Sequence, residues 1–121
     1  MIIALDIDGT ITQHPRFFTE LSHKHDIIIV TSRPNTEDSQ NETKALLADI
    51  GISYRHIYYC DWEAVDDEKN PSELEGADRL LYQKVIACQQ EKADALFDDD
   101  QNVIRLIKKY LPSTAVFMPQ I

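Results

Sequence analysis

The segment Leu5-Asp6-Ile7-Asp8-Gly9-Thr10 sets two carboxylates one residue apart, directly after an apolar run and directly before a glycine. Further along, Asp98, Asp99 and Asp100 follow the apolar run Ala93 to Phe97, and Thr31 and Ser32 follow the run Ile27 to Val30. A parallel sheet delivers such end groups to one place, because ligands bind beyond the carboxyl ends of its strands where the strand order reverses. If the strands carrying these acids are neighbours, carboxylates about 5 Å apart at an effective dielectric of 20 repel by about 3 kcal/mol, and the cluster requires a cation. Oxygen ligands alone favour a hard ion. Mg2+ is the one that binds through one or two carboxylates together with water and substrate phosphate.

Such convergence needs strands that alternate with helices, and the hydrophobic pattern supplies them. Residues 2 to 7 form a β-branched, apolar strand, and Pro15 stands where the first turn of a short helix, Phe17 to His23, begins. The continuous run Ile27 to Thr31 suits a strand buried on both faces of a parallel sheet. Glu37 to Ile50 carries Ala45, Leu46, Leu47 and Ile50 on one side and is followed by Gly51, the residue that closes helices. Ser53 to Tyr59 predicts a third strand, and Cys60 to Ala77 predicts a long acidic loop. Leu80, Leu81, Val85, Ile86 and Cys88 recur at helical spacing before the fourth strand, Ala93 to Phe97. Val103, Ile104, Ile107 and Leu111 define a last amphipathic helix closed by Pro112, and Ala115 to Met118 a final strand. Five strands alternating with four helices predict an α/β, Rossmann-like three-layer sandwich with a mostly parallel five-stranded sheet, in a single domain spanning residues 1 to 121.

The 121 residues carry a formal net charge of −9. That balance repels a polyanion at long range, so no nucleic-acid partner is expected. No apolar run approaches the roughly 20 residues that a bilayer span requires, so no membrane partner is expected either. Met1 leads into Ile2, Ile3, Ala4 and Leu5 without a basic region or a small-residue cleavage site, so the expected location is the cytoplasm. Cys60 and Cys88, the only cysteines, form no CxxC pair and read as reduced, half-buried thiols. His14, His23, His25 and His56 show no ligand spacing, and Trp62 reads as half-buried, with stacking on substrate as the lesser alternative.

Taken together, Leu5-Asp6-Ile7-Asp8-Gly9-Thr10, the strand-end Thr31, Lys84 and Phe97-Asp98-Asp99 make the chain resemble the haloacid dehalogenase (HAD) superfamily of phosphatases. The resemblance implies that Asp6 is a nucleophile that becomes aspartyl-phosphate, while Asp8 protonates the leaving oxygen and later activates water. It implies that Thr31, with Ser32 beside it, bonds the phosphoryl oxygens and that Lys84 neutralises their charge. It further implies an Mg2+ held by Asp6, Asp8 and Asp99, with Asp98 orienting Lys84; three consecutive aspartates leave that register open by one. Asp100 is then the helix N-cap. The chemistry is consistent, since a carboxylate nucleophile splits phosphate-ester hydrolysis into two easier steps and a second carboxyl serves as acid and then base. Arg79 competes with Lys84 for the basic role. Arg33 either extends the phosphate site or is an exposed loop arginine, and Thr31 taken alone reads most often as a strand-end hydroxyl capping the next turn.

Neither Thr10 to Asp26 nor Cys60 to Ala77 is long enough for an independent domain, so the resemblance is to a small member with no cap domain. Such an open site admits large substrates or is closed by oligomerisation. The expected activity is therefore Mg2+-dependent hydrolysis of a phosphate monoester. The rival readings are a phosphotransferase, a catalytically idle binding protein with the same fold, and a receiver-type phospho-acceptor domain. The last is disfavoured because Tyr58 and Tyr59 end the third strand where an acceptor aspartate belongs. The acidic loop, with Asp61, Glu63, Asp66, Asp67, Glu68, Glu73 and Glu75 against Lys69, reads either as edging the site and disfavouring polyphosphates or as a solvated loop with no part in recognition.

Overall fold

The structure is a computed structural model that describes residues 1–63 and 70–119. Five strands, β1 (Ile2–Leu5), β2 (Asp26–Pro34), β3 (His56–Cys60), β4 (Ala95–Phe97) and β5 (Ala115–Phe117), form one sheet in the order β3-β2-β1-β4-β5. Every pairing is parallel, so the sheet is wholly rather than mostly parallel. The helices are α1 (Pro15–Ser22), α2 (Glu37–Ile50), α3 (Ala77–Glu91) and α4 (Gln101–Tyr110). Among the described residues, no helix is long and apolar enough to cross a membrane.

Strand alternation builds two cores, one on each side of the sheet. Ala4, Ile28, Val30 and Leu96 pack with Leu81, Val85, Val103 and Leu106 of α3 and α4. Their neighbours in sequence, Ile3, Leu5, Ile27, Ile29 and Ala95, point the other way and pack with Phe18 of α1 and Leu47 of α2. That is the three-layer α/β sandwich, and it explains why the central strands are apolar at every position. Because β1 lies between β2 and β4, the order reverses beside it, and the crevice falls at the ends of β2, β1 and β4.

Several boundaries differ from expectation. The first strand ends at Leu5 rather than Ile7, because residues 7–11 wind into a wide turn in which the Thr12 amide bonds the Ile7 carbonyl at 3.2 Å. Gly9 sits in that turn at φ 82, a conformation that a side chain disfavours. The third strand begins at His56, not Ser53. The amides of Gly51 and Ile52 both fold back to the Leu47 carbonyl at 3.0 Å, and the chain needs the next residues to reach the sheet. Cys60 and Cys88 are fully buried rather than half-buried, and both are free thiols. Trp62 is 57% exposed, not half-buried, because the strand ends before it. Part of the acidic loop, residues 64–69 with Asp66, Asp67, Glu68 and Lys69, lies outside the described residues.

Candidate active site

At the end of β1 the Asp6 amide still bonds the Phe97 carbonyl of β4 at 3.0 Å, and the Asp98 amide bonds the Phe117 carbonyl of β5 at 3.1 Å. Ladder bonds thus hold both aspartates at adjacent strand ends. Lys84, well inside α3, reaches between them. Its Nζ donates to Asp6 Oδ1 at 3.0 Å and to Asp98 Oδ2 at 2.7 Å, and all three residues are buried. Thr10 Oγ1 donates to the other Asp6 oxygen at 3.4 Å. Asp98 Oδ1 accepts from the Asp100 amide at 2.9 Å, so both Asp98 oxygens are engaged. Asp100 caps α4 by accepting from the Asn102 amide at 2.8 Å.

Two carboxylates around one ammonium leave a negative charge in excess, and burial makes that excess expensive. Burial lifts the Asp6 carboxyl to about 7, with Asp98 pushing the same way against the pull of Lys84. Burial raises Asp98 as well, again opposed by Lys84. Burial alone would lower Lys84, but Asp6 and Asp98 outweigh it and its pKa rises. Such a centre gains stability by taking up a proton or a cation.

The donor set fits a hard cation. Asp6, Asp98 and Asp99 each offer an oxygen, all within 4.8 Å of one another. Asp98 has both oxygens in short bonds to Lys84 and the Asp100 amide, whereas one Asp6 oxygen is held only by the long 3.4 Å bond from Thr10, so that oxygen and the exposed Asp99 are the ones most open to an ion that also keeps water. Asp99 lies tight against Gly9: a Cβ there would meet Asp99 Oδ2 at 2.1 Å. A side chain at position 9 would push the exposed Asp99 carboxylate aside, while the φ of 82 is what requires glycine there.

A cavity of about 290 Å3 opens onto these groups, lined by Asp6, Asp8, Ser32, Lys84, Asp98, Asp99 and Asp100. Asp8 lines it without joining the three clustered carboxylates. Strand alternation does not place it, because the strand has already ended. Instead Arg33 grips Asp8 with two bonds of 2.9 Å and is itself braced at 3.1 Å on Thr43 Oγ1 of α2. The Arg33 hydrogen bonds hold the Asp8 carboxyl below its usual range. Arg33 is thus neither a free loop residue nor a direct lining group. Thr31, by contrast, is buried, is not among the lining residues, and accepts the Arg33 amide at 3.1 Å through Oγ1. That is the turn-capping role, and Ser32 is the β2 hydroxyl residue that lines the cavity. Arg79, near the start of α3, donates to the Leu74 carbonyl at 3.3 Å and is also absent from the lining.

Thr43 and Gln83 were not identifiable beforehand. Gln83 fastens the start of the acidic loop to α3: the Asp61 amide donates to its Oε1 at 2.7 Å, and its Nε2 donates to the Asp61 carbonyl at 2.8 Å. No local pattern marks either residue, since each acts through a partner distant in sequence. Farther along the same loop, Leu74 is buried and Glu73 bonds Tyr110 and Lys109, so this part packs on α4.

Fold and site define an α/β protein with a lysine-bridged carboxylate centre at the switch point of a parallel sheet. No family model matches the chain, and no curated protein does. Among solved structures, it is similar to a chain in the Pnkp1/Rnl/Hen1 RNA repair complex, with a TM-score of 0.68 and 14% identity over 98% of this chain and 42% of that one. A second structure of the Pnkp1/Rnl/Hen1 complex matches with a TM-score of 0.67, again at 14% identity, over 98% of this chain and 45% of the other. The chain thus spans less than half the length of these neighbours, and at this identity the likeness is one of fold.

Proposed function

We propose that the chain is an Mg2+-dependent phosphatase of HAD type that hydrolyses a phosphate monoester through an aspartyl-phosphate. The observation that carries this reading is the Asp6 carboxylate, held at a strand end by Thr10 and Lys84 and facing a cavity shared with Asp8 and Asp99. In this reading an Asp6 oxygen attacks phosphorus and the bond to the leaving oxygen breaks; Asp8, ionised while it is paired with Arg33, serves as the acid for that oxygen only once substrate binding has released it from the guanidinium and it has taken up a proton. Asp8 then removes a proton from water as the water attacks the acyl-phosphate, which returns Asp6 and releases inorganic phosphate. Lys84 offsets the charge on Asp6 and on the phosphoryl oxygens, and Ser32 offers them a donor. Mg2+, held by Asp6 and Asp99, would supply further charge neutralisation at the phosphoryl group.

The neighbours' membership of an RNA repair complex favours a terminal RNA phosphate as a second reading of the substrate, whereas the net charge of −9 opposes a long polyanion. The test is release of inorganic phosphate from an aryl phosphate. Turnover should stop on chelation, return with Mg2+, and vanish in Asp6→Asn. Activity indifferent to chelator overturns the metal assignment. An Asp6→Asn protein with wild-type turnover overturns the nucleophile, and transfer to an added alcohol in place of water points to a phosphotransferase.

A further inference from the structure

Trp62 is a large apolar side chain left 57% exposed, and it stands beside the cavity that holds Asp6. Its Nε1, the only polar atom of the indole, donates to the Ser32 carbonyl at 3.1 Å, and Ser32 lines that cavity. The segment carrying it is fixed. Asp61 is clamped from both sides by Gln83, the neighbour of Lys84, and Asp61 Oδ1 accepts the Glu63 amide at 3.0 Å. With its donor engaged and the preceding residue, Asp61, tied to α3, the ring offers a π surface that is partly ordered before binding, which lowers the entropic cost of binding a flat group. The ring is not part of the cavity lining. Its hydrogen bond ties it to Ser32, a residue of that lining, and only by emerging on this side of the cavity does the group attached to a bound phosphate meet the ring. Asp61 and Glu63 flank it, so a second negative charge on that group is disfavoured.

Resting on the phosphatase reading, we propose that Trp62 is a stacking platform for the leaving group, and that the substrate is a monoester whose single phosphate is attached to a group bearing a neutral or cationic planar aromatic ring. A nucleoside and a simple aryl group share this chemistry, and the test separates them.

Trp62 is the only tryptophan in the chain, so its fluorescence reports on this one position. The Asp6→Asn variant, with Mg2+ present, is titrated with adenosine monophosphate, phenyl phosphate, glycerol phosphate and inorganic phosphate. Saturable quenching is expected from a ring-bearing ester, reversed by competing inorganic phosphate, with little quenching from the two ring-free probes. The stronger of adenosine monophosphate and phenyl phosphate identifies the ring type. Equal quenching by all four probes, or none by either ring, overturns the proposal. In the active protein, Trp62→Ala should lower the ratio of kcat/KM for the preferred ring-bearing ester to that for glycerol phosphate about tenfold, mainly through KM, and Trp62→Phe should restore most of it. An unchanged ratio in a protein that hydrolyses both esters overturns the platform while keeping the phosphatase. A wild type that hydrolyses neither overturns the phosphatase reading, and the fluorescence titration then decides the platform alone.

Discussion

Replacing Lys84 by methionine removes the cation from a buried group of three charges while keeping most of the side chain's length. The ammonium stands 3.0 Å from Asp6 and 2.7 Å from Asp98 and is 3% exposed. At an effective dielectric of 20 each contact is an attraction of about 5 to 6 kcal/mol, whereas the carboxylates, with oxygens within 4.8 Å, repel by about 3 kcal/mol. Desolvation of all three groups offsets most of that gain, and breaking a buried pair typically costs about 3 to 5 kcal/mol. The loss should depend on pH with a definite sign. A carboxyl whose folded pKa is raised contributes stability below its unfolded pKa and loses it as pH rises through the folded value. Asp6 already stands at about 7 against an ordinary 3.8, and loss of the ammonium raises it further. The part of the Lys84→Met deficit that depends on Asp6 should therefore be smallest below pH 7, where that carboxyl is protonated in both folded proteins, and the whole should grow to about 3 to 5 kcal/mol as pH rises above 7. Urea unfolding across that range, without divalent ions, measures it. Adding Asp98→Asn to Lys84→Met should recover part of the loss by removing one of the stranded charges. A deficit under about 1 kcal/mol that ignores pH would refute the account of a charge-balanced centre.

Gly9→Ala should cost about 1 to 3 kcal/mol and weaken Mg2+ binding in calorimetry, because its Cβ would lie 2.1 Å from Asp99 Oδ2 at a φ of 82; unchanged affinity would count against Asp99 as a ligand. Arg33→Gln should raise the Asp8 pKa toward its ordinary value, seen by NMR titration of the carboxyl carbon. The stability lost should be no more than about 1 kcal/mol at neutral pH, given the exposure of Asp8, and should vanish in acid as Asp8 protonates; a static Asp8 pKa would contradict the pairing. Burial pushes the Cys60 thiol up to about 11 and the Cys88 thiol up to about 12, so both should resist alkylation at neutral pH until the protein unfolds. Rapid labelling of the native protein would show that this part of the core opens.

Hydrophobic periodicity orders the elements because the central strands β1, β2 and β4 are buried on both faces and read as continuous apolar runs between the helical patterns. The second helix matches its expected limits, Glu37 to Ile50, since both ends carry local signals: Thr36 accepts the Ser39 amide at 3.2 Å, and Gly51 adopts φ 92. Boundaries without such signals moved. Nothing in Leu5-Asp6-Ile7 announces the end of β1, because Ile7 is as apolar and as buried as the strand residues before it and belongs to the turn only through the Thr12 bond. The exposure of Trp62 was equally hidden, since aromatic character is the same whether a chain buries the ring or displays it.

Within the site, the residues placed by the sheet were legible and those placed by side-chain reach were not. Asp6 and Asp98 follow from where β1 and β4 stop, and Lys84 follows from its helix running beside them. The residues of β2 differ because the strand is irregular. Its register with β3 shifts between Val30 and Pro34, so simple alternation no longer governs the direction of residues 31 to 33. Thr31 turns into the protein, Ser32 faces the cavity, and Arg33 swings to Asp8 with Thr43 as its brace. A one-residue change of direction of this kind moves the hydroxyl at the site from Thr31 to Ser32 without altering the hydrophobic pattern at all, because the apolar run has already ended at Val30. Irregular pairing is also what brings the guanidinium within reach of the Ile7 to Ile11 turn. The same feature that hid these roles from the sequence therefore ties β2 to the Asp8 side of the cavity, while Lys84 ties α3 to the Asp6 side.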